Sequence, residues 1–196
     1  MTTESHPLQP FLPDGARVLM LGSFPPPRAR WSMDFFYPNY INDMWRVMGL
    51  VFFGDRLHFV DEKARTFRLD ALRAFLLQKG IALYDTATAV RRLKDNASDK
   101  YLEITARTDI AAMLRCRPTL QALVTTGQKA TDTLLETLAA FAPTIAPPVV
   151  GGYVGFGFEG RSLRFYRMPS TSRAYPLALD KKASCYAAMF RELGMR

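Results

Sequence analysis

Cysteine and histidine are scarce in this chain, and with them most metal and nucleophile chemistry. Of 196 residues, two are cysteine and two are histidine. Cys116 and Cys185 lie far apart, outside any CxxC pair and within helix-like sequence. Both read as buried free thiols. His6 and His58 stand alone, so no zinc or iron site is expected. A Ser-His-Asp or Cys-His mechanism would need His58, which sits in a charged connecting segment; neither is expected. No run approaches the roughly 20 apolar residues that span a bilayer. The opening MTTESHPLQP has no basic n-region and no apolar core. The expectation is a cytoplasmic protein with no membrane association. Internal repeats, charge blocks and low-complexity tracts are missing too.

What is present is an ordinary share of apolar residues, 48%, and an excess of positive charge. Lys and Arg number 26 against 18 Asp and Glu, a net +8. Such a surface suits a polyanion, because neutralised phosphates supply most non-specific nucleic-acid affinity. A basic surface with no such partner is the alternative.

Four short apolar runs read as buried strands: 17–24, 81–87, 122–127 and 164–170. Helical patterns lie between and after them, over 41–53, 65–80, 108–118, 127–142 and 176–194. Gly80 serves as a stop for the second and Thr126 as an N-cap for the fourth. The alternation predicts an α/β fold, a three-layer α/β/α sandwich around a central, mainly parallel four-stranded sheet. A hairpin turning at "EGRS" feeds the last strand. Residues 1–14 read as a loose N-terminal segment and 15–196 as one domain.

Ligands of open α/β sheets gather beyond the carboxyl ends of the strands, and there this sequence is unusual. "GSFPPPRAR" (22–30) joins a strand to three prolines, which extend neither strand nor helix. It offers the backbone N–H groups of Gly22, Ser23 and Phe24, a stiff wall from Pro25 onward, and then Arg28 and Arg30. A pocket for a flat ring and a merely structural loop both fit. "DFFYPNYIND" sets Phe35, Phe36, Tyr37 and Tyr40 around the amides of Asn39 and Asn42. The rings would sandwich an unstacked base, or else belong to the core. The amides would orient water or a base edge, or else cap the helix that follows. "YDTATAVRRLK" ends a strand on Asp85 and adds Arg91, Arg92 and Lys94. Asp85 would accept from a base N–H or capture a water, or simply pair with an arginine. "TTGQK" brings Lys129 to the third strand end. "MPSTSRAYP" places Ser170, Thr171, Ser172 and Arg173 after the last strand. Small hydroxyls and one long cation suit a loop pressed against DNA, or a capped turn.

Taken together these segments resemble the uracil-DNA glycosylase superfamily. It has a G-x-x-P loop after the first strand, a pocket residue after the second and a P-S-x-S loop after the last. The hypoxanthine-DNA glycosylase-like branch is the most similar, with a first motif like LGSxPG and an aromatic segment ending N-x-F-W. Here these read LGSFPP (21–26), NDMW (42–45) and MPSTS (168–172), and the likeness covers about 17–176. The resemblance implies a monofunctional DNA repair glycosylase that needs no metal or other cofactor. Its partner is DNA containing a damaged base, uracil or hypoxanthine, and it acts as a monomer. It flips the base out and hydrolyses the N-glycosidic bond. Asn42 becomes the catalytic residue, directing water. Gly22, Ser23, Phe24, Tyr37, Asn39 and Asp85 become base contacts. Pro25, Arg28, Lys129, Ser170, Thr171, Ser172 and Arg173 become DNA contacts.

Several positions depart from the family. Phe24 stands where many relatives carry Asp, Asn or Glu to activate water. Asp85 stands where relatives often use an amide, and a carboxylate only accepts. Pro26 replaces the second glycine, and the last motif lacks a histidine found in some relatives. A non-catalytic lesion or abasic-site binding protein on the same fold, and a nucleoside- or nucleotide-binding hydrolase, are the competing expectations.

Overall fold

A strand flanked by parallel neighbours and covered on both faces should be apolar at every position. The segment Val18–Gly22 (β2) meets that condition, with all of its residues buried. The computed structural model describes residues 2–93 and 99–196, and within them β2 lies inside a five-stranded sheet. Its neighbours are Ile81–Asp85 (β5) and Ala122–Thr126 (β8), both parallel to it. Arg161–Met168 (β10) continues the sheet in parallel beyond β8, and Tyr153–Phe158 (β9) closes that edge antiparallel.

The sheet thus has five strands, mostly parallel, rather than four. The hairpin expected at "EGRS" exists, and its first arm supplies the fifth strand of the main sheet. Glu159 and Gly160 form the tight turn with φ of 47° and 78°. Two successive positive φ values match the right-handed twist of the flanking strands.

Among the described residues, five helices complete the alternation: Met44–Phe53 (α1), Leu69–Lys79 (α2), Ile110–Cys116 (α3), Gln128–Leu138 (α4) and Leu179–Glu192 (α5). Each is shorter than its apolar pattern suggested, because the end turns lie in loops. Helix α1 packs on α5, where the Phe52 and Phe190 rings meet at 4.9 Å. Trp45 of α1 is fully buried and donates its Nε1–H to Phe36 O. Removing so large a buried ring costs about 3–5 kcal/mol. No helix among the described residues is long and apolar enough to cross a membrane.

The N-terminal segment departs from the expectation of a loose tail. Thr3–Ser5 (β1) pairs with Ala87–Arg92 (β6), which pairs with Leu102–Arg107 (β7), giving a second, antiparallel sheet. Phe11 bridges to Leu83 on the outer edge of β5 through two backbone hydrogen bonds. A three-residue polar strand carries no periodicity to read, so only its partner reveals it. A short ladder, Val60–Asp61 (β3) with Thr66–Phe67 (β4), precedes α2.

Two smaller expectations also change. Cys116, the last residue of α3, is exposed, and Cys185 is half-buried, so neither is a core thiol. Thr126 does not cap α4: it stays in β8, and Gly127, at φ 125°, occupies the cap position.

Candidate functional site

The carboxyl ends of β2, β5, β8 and β10 open on a cavity of about 140 Å³. A single six-membered ring fills a cavity of about 150 Å³. The loop after β2 contributes Gly22 through Pro26, and the aromatic segment contributes Phe35 through Asn39 and then Asn42. Asp85 comes from the tip of β5, Thr126 from the tip of β8, and Ser170 through Ser172 from the loop after β10. Phe24, Asn42 and Ser170, far apart in the chain, thereby share one cavity.

Asp85 forms part of the floor. It is paired in register with Gly22 on the adjacent strand, and its backbone O accepts from Thr108 Oγ1 at 2.6 Å. Its side chain does not pair with an arginine, as a lone Asp was expected to do. His6 Nε2 lies 2.8 Å from Asp85 Oδ2, and the His6 side chain is 2% exposed. Oδ1 lies against Gly22: a Cβ added there would stand 2.3 Å from it. Only a glycine leaves room for the carboxylate at this point.

Tyr37 reaches the same floor in a left-handed conformation, φ 49°, and shares a 2.9 Å hydrogen bond with Thr126 Oγ1. Burial, aided by the negative charge of Asp85, raises its hydroxyl well above the ordinary tyrosine value. It stays a neutral phenol.

The proline loop is held from two sides. Arg92 donates to Pro25 O at 2.6 Å and pairs with Glu4 of β1 at 3.0 Å. Trp31 Nε1 donates to Pro26 O at 2.8 Å. Phe24 is largely buried and packs with Ala87, Val90 and Leu102 of the second sheet, with the His6 ring edge-on at 5.3 Å. It is at once a cavity wall and a core residue.

Asn42 and Asn39 both act locally. Asn42 Oδ1 accepts from Met44 N at 2.9 Å, and Asn39 Oδ1 from Ile41 N at 3.2 Å. A primary amide has a second lone pair and two N–H donors besides. The last loop is likewise self-bonded: Ser170 Oγ accepts from Ser172 N and Ser172 Oγ from Ala174 N, each at 3.2 Å. The capped-turn reading and the cavity reading therefore hold together for these hydroxyls.

Three expected DNA contacts are not among the cavity residues. Arg28 pairs with Asp34 and stacks over Trp31 at 4.2 Å. Arg173 pairs with Asp43 at 3.2 Å, beside a second, polar cavity. Lys129 is half-buried, close enough to Asp99 to lower that carboxyl. Lys94 lies outside the described residues.

No protein-family model matches the chain, and no curated protein does. Among solved structures, a solution NMR structure from Methanosarcina acetivorans named "putative Uracil DNA glycosylase" covers 98% of this chain and 99% of its own. The two are 20% identical with a TM-score of 0.62. They share a fold.

Two residues of the site have no warning in the sequence. His6 sits in a stretch without periodicity, and Asp99 follows a run of polar residues in the sequence like any solvated acid. Asp99 is an exposed residue, but it lines the cavity and its carboxyl bonds Ser23 there. Local loss of solvation at that contact raises the carboxyl most and the Asp85 charge adds to this, against the hydrogen bond itself and the charges of Lys129 and Arg92. Among the described residues, no three His, Cys, Asp or Glu side chains group as metal ligands. The cavity offers ring faces, hydroxyls, two amides and two carboxylates. Such a set has the chemistry to hold a flat polar ring and to orient a water.

Proposed function

We infer that this protein is a DNA glycosylase of the uracil-DNA glycosylase superfamily, removing a deaminated base by hydrolysis of its N-glycosidic bond. The convergence of Phe24, Asn42, Asp85 and Ser170 on one ring-sized cavity at the strand ends carries this reading. The shared fold and the net charge of +8 support it. With it go the α/β/α layering and the hypoxanthine-type branch of that superfamily, a cytoplasmic monomer, and a monofunctional reaction without cofactor.

In this reading the base leaves the stack, at a cost of a few kcal/mol, and enters between Phe24 and the aromatic segment. Pro25 and the hydroxyls of Ser170, Thr171 and Ser172 meet the backbone near the extruded nucleotide, with Arg28, Lys129 and Arg173 giving longer-range attraction. Departure of the base leaves positive charge on the sugar, which a water must then capture. The base departs with the electron pair of the broken C–N bond, held by the backbone N–H groups of Ser23 and Phe24 with Tyr37 and Asn39. Asn42 orients the water without acting as its base, and the proton that the water sheds on bonding to the sugar neutralises the base anion.

The test is incubation with duplexes containing uracil, hypoxanthine or xanthine, followed by alkaline cleavage of abasic sites. Strand breaks at one or more of these bases are expected. Folded protein that releases none of them overturns the reading.

A further inference from the structure

We propose that His6 is a positioning residue: it fixes Asp85 as a single-point acceptor, and the pair selects bases that present a ring N–H donor. The proposal rests on the glycosylase reading and names the substrate class for it.

His6 is built into place. Its backbone N–H donates to Thr88 O at 2.8 Å, and its ring lies 4.6 Å from Tyr84 and 5.3 Å from Phe24. Nδ1 faces Leu8, with the backbone N at 3.1 Å and the O at 2.9 Å. If Nδ1 accepts from Leu8 N–H, the neutral ring carries its proton on Nε2. If Nδ1 donates to Leu8 O instead, an ionised Asp85 still requires a hydrogen on Nε2, because two lone pairs would otherwise meet. With Asp85 ionised, both arrangements point an Nε2–H at Oδ2, 2.8 Å away.

One carboxylate oxygen is therefore committed. The other, Oδ1, rests on Gly22, which lines the cavity with Asp85 itself. A carboxylate oxygen only accepts. Cytosine N3 and adenine N1 bear lone pairs and would face Oδ1 with repulsion. Deamination turns them into the N3–H of uracil and the N1–H of hypoxanthine, which donate to it. The floor thus distinguishes the deaminated base from its parent at the ring nitrogen that gains a hydrogen when the neighbouring amino group becomes a carbonyl. Guanine and thymine also carry a ring N–H, so this contact does not discriminate against them; secure pairing in the duplex does.

The decisive variant is Asp85→Asn. With His6 in place, the Asn oxygen turns to the Nε2–H and the amide NH₂ faces the cavity, reversing the polarity of the floor. Removing His6 as well frees the amide to present its oxygen again. Full-length wild type, H6A, H6Q, D85N and H6A/D85N are compared by fluorescence anisotropy on four duplexes. These carry 2′-fluoroarabino nucleotides of uracil, cytosine, hypoxanthine and adenine, whose glycosidic bonds are inert. Wild type should prefer uracil over cytosine, and hypoxanthine over adenine, by at least about tenfold. D85N should abolish or invert both ratios, and H6A/D85N should restore part of them. H6Q, which keeps an N–H donor toward Asp85, should stay closer to wild type than H6A.

A wild type without these preferences overturns the proposal. So does a D85N variant whose ratios match those of H6A/D85N. Uniform weakening across all four duplexes, with unmoved ratios, marks a structural role alone and also overturns it. Excision from ordinary duplexes is followed in parallel. Its absence beside intact binding ratios would defeat the glycosylase reading and leave the selectivity of the pair standing.

Discussion

Lys182 Nζ lies 2.9 Å from Asp43 Oδ2, and both side chains are almost wholly shut off from solvent. The same ammonium donates to Ser172 O, and Asp43 N–H donates to Thr171 O. One buried pair therefore clamps the loop after β10 to the start of α1, one residue beyond Asn42. Two walls of the cavity are fixed by it.

Lys182→Met should cost about 3 kcal/mol, the lower end for a buried charge left without its partner, because Arg173 still reaches Asp43 Oδ1. Adding Asp43→Leu should recover much of that stability while activity stays low, since the clamp is gone. Urea denaturation and single-turnover excision separate the two effects. A single variant as stable as wild type would contradict the assignment.

Gly22→Ala sets a methyl group 2.3 Å from Asp85 Oδ1, so the carboxylate must leave the position in which His6 holds it through Oδ2. The carboxylate, not the strand, should move. Activity is expected to fall at least about tenfold, with a stability loss in the ordinary range of about 1–3 kcal/mol. Wild-type excision rates in the Gly22→Ala variant would show that Asp85 does not touch the ligand.

Asn42→Ala removes a turn bond and the amide proposed to direct the water. The first should cost about 1 kcal/mol of stability. The second should lower the single-turnover rate by at least about 100-fold, as for loss of a positioned polar group at a reacting centre. Asn42→Asp keeps the acceptor for Met44 N–H and should restore the stability. An unchanged rate in the alanine variant assigns water positioning elsewhere.

Alkaline pH should destabilise the fold steeply. Tyr37, Tyr84 and Tyr186 are raised above 10.0, chiefly by burial, and Tyr166 is pushed up to about 12. The unfolded chain releases these protons near pH 10 while the native state keeps them. The native state then binds more protons, so stability falls as pH rises above 10, by up to about 1.4 kcal/mol per pH unit for each group. Denaturation midpoints that stay flat from pH 9 to 11 would contradict the buried state of these phenols.

The four core strands were legible as short unbroken apolar runs, and the five helices by the period that one-sided burial writes into the sequence. Proline and glycine placement then located the strand ends, and with them Phe24, Asn42, Asp85 and Ser170. What escaped notice rests on long-range partners. Thr3–Ser5 is a strand only because β6 pairs with it, and His6 matters only because the chain returns to Asp85 after 79 residues. Thr126 looked like a cap, yet its hydroxyl serves Tyr37, a partner 89 positions away. Arg28 and Arg173 read as free cations because sequence does not reveal Asp34 and Asp43 beside them.

The most direct test of the central claim is a crystal structure with a duplex carrying a 2′-fluoroarabino deoxyuridine or deoxyinosine. The account predicts the base turned out of the helix into the cavity between Phe24 and Tyr37, with its ring N–H on Asp85 Oδ1 and the sugar beside Asn42. A duplex bound at another face, or a base still stacked with the cavity empty, would contradict it.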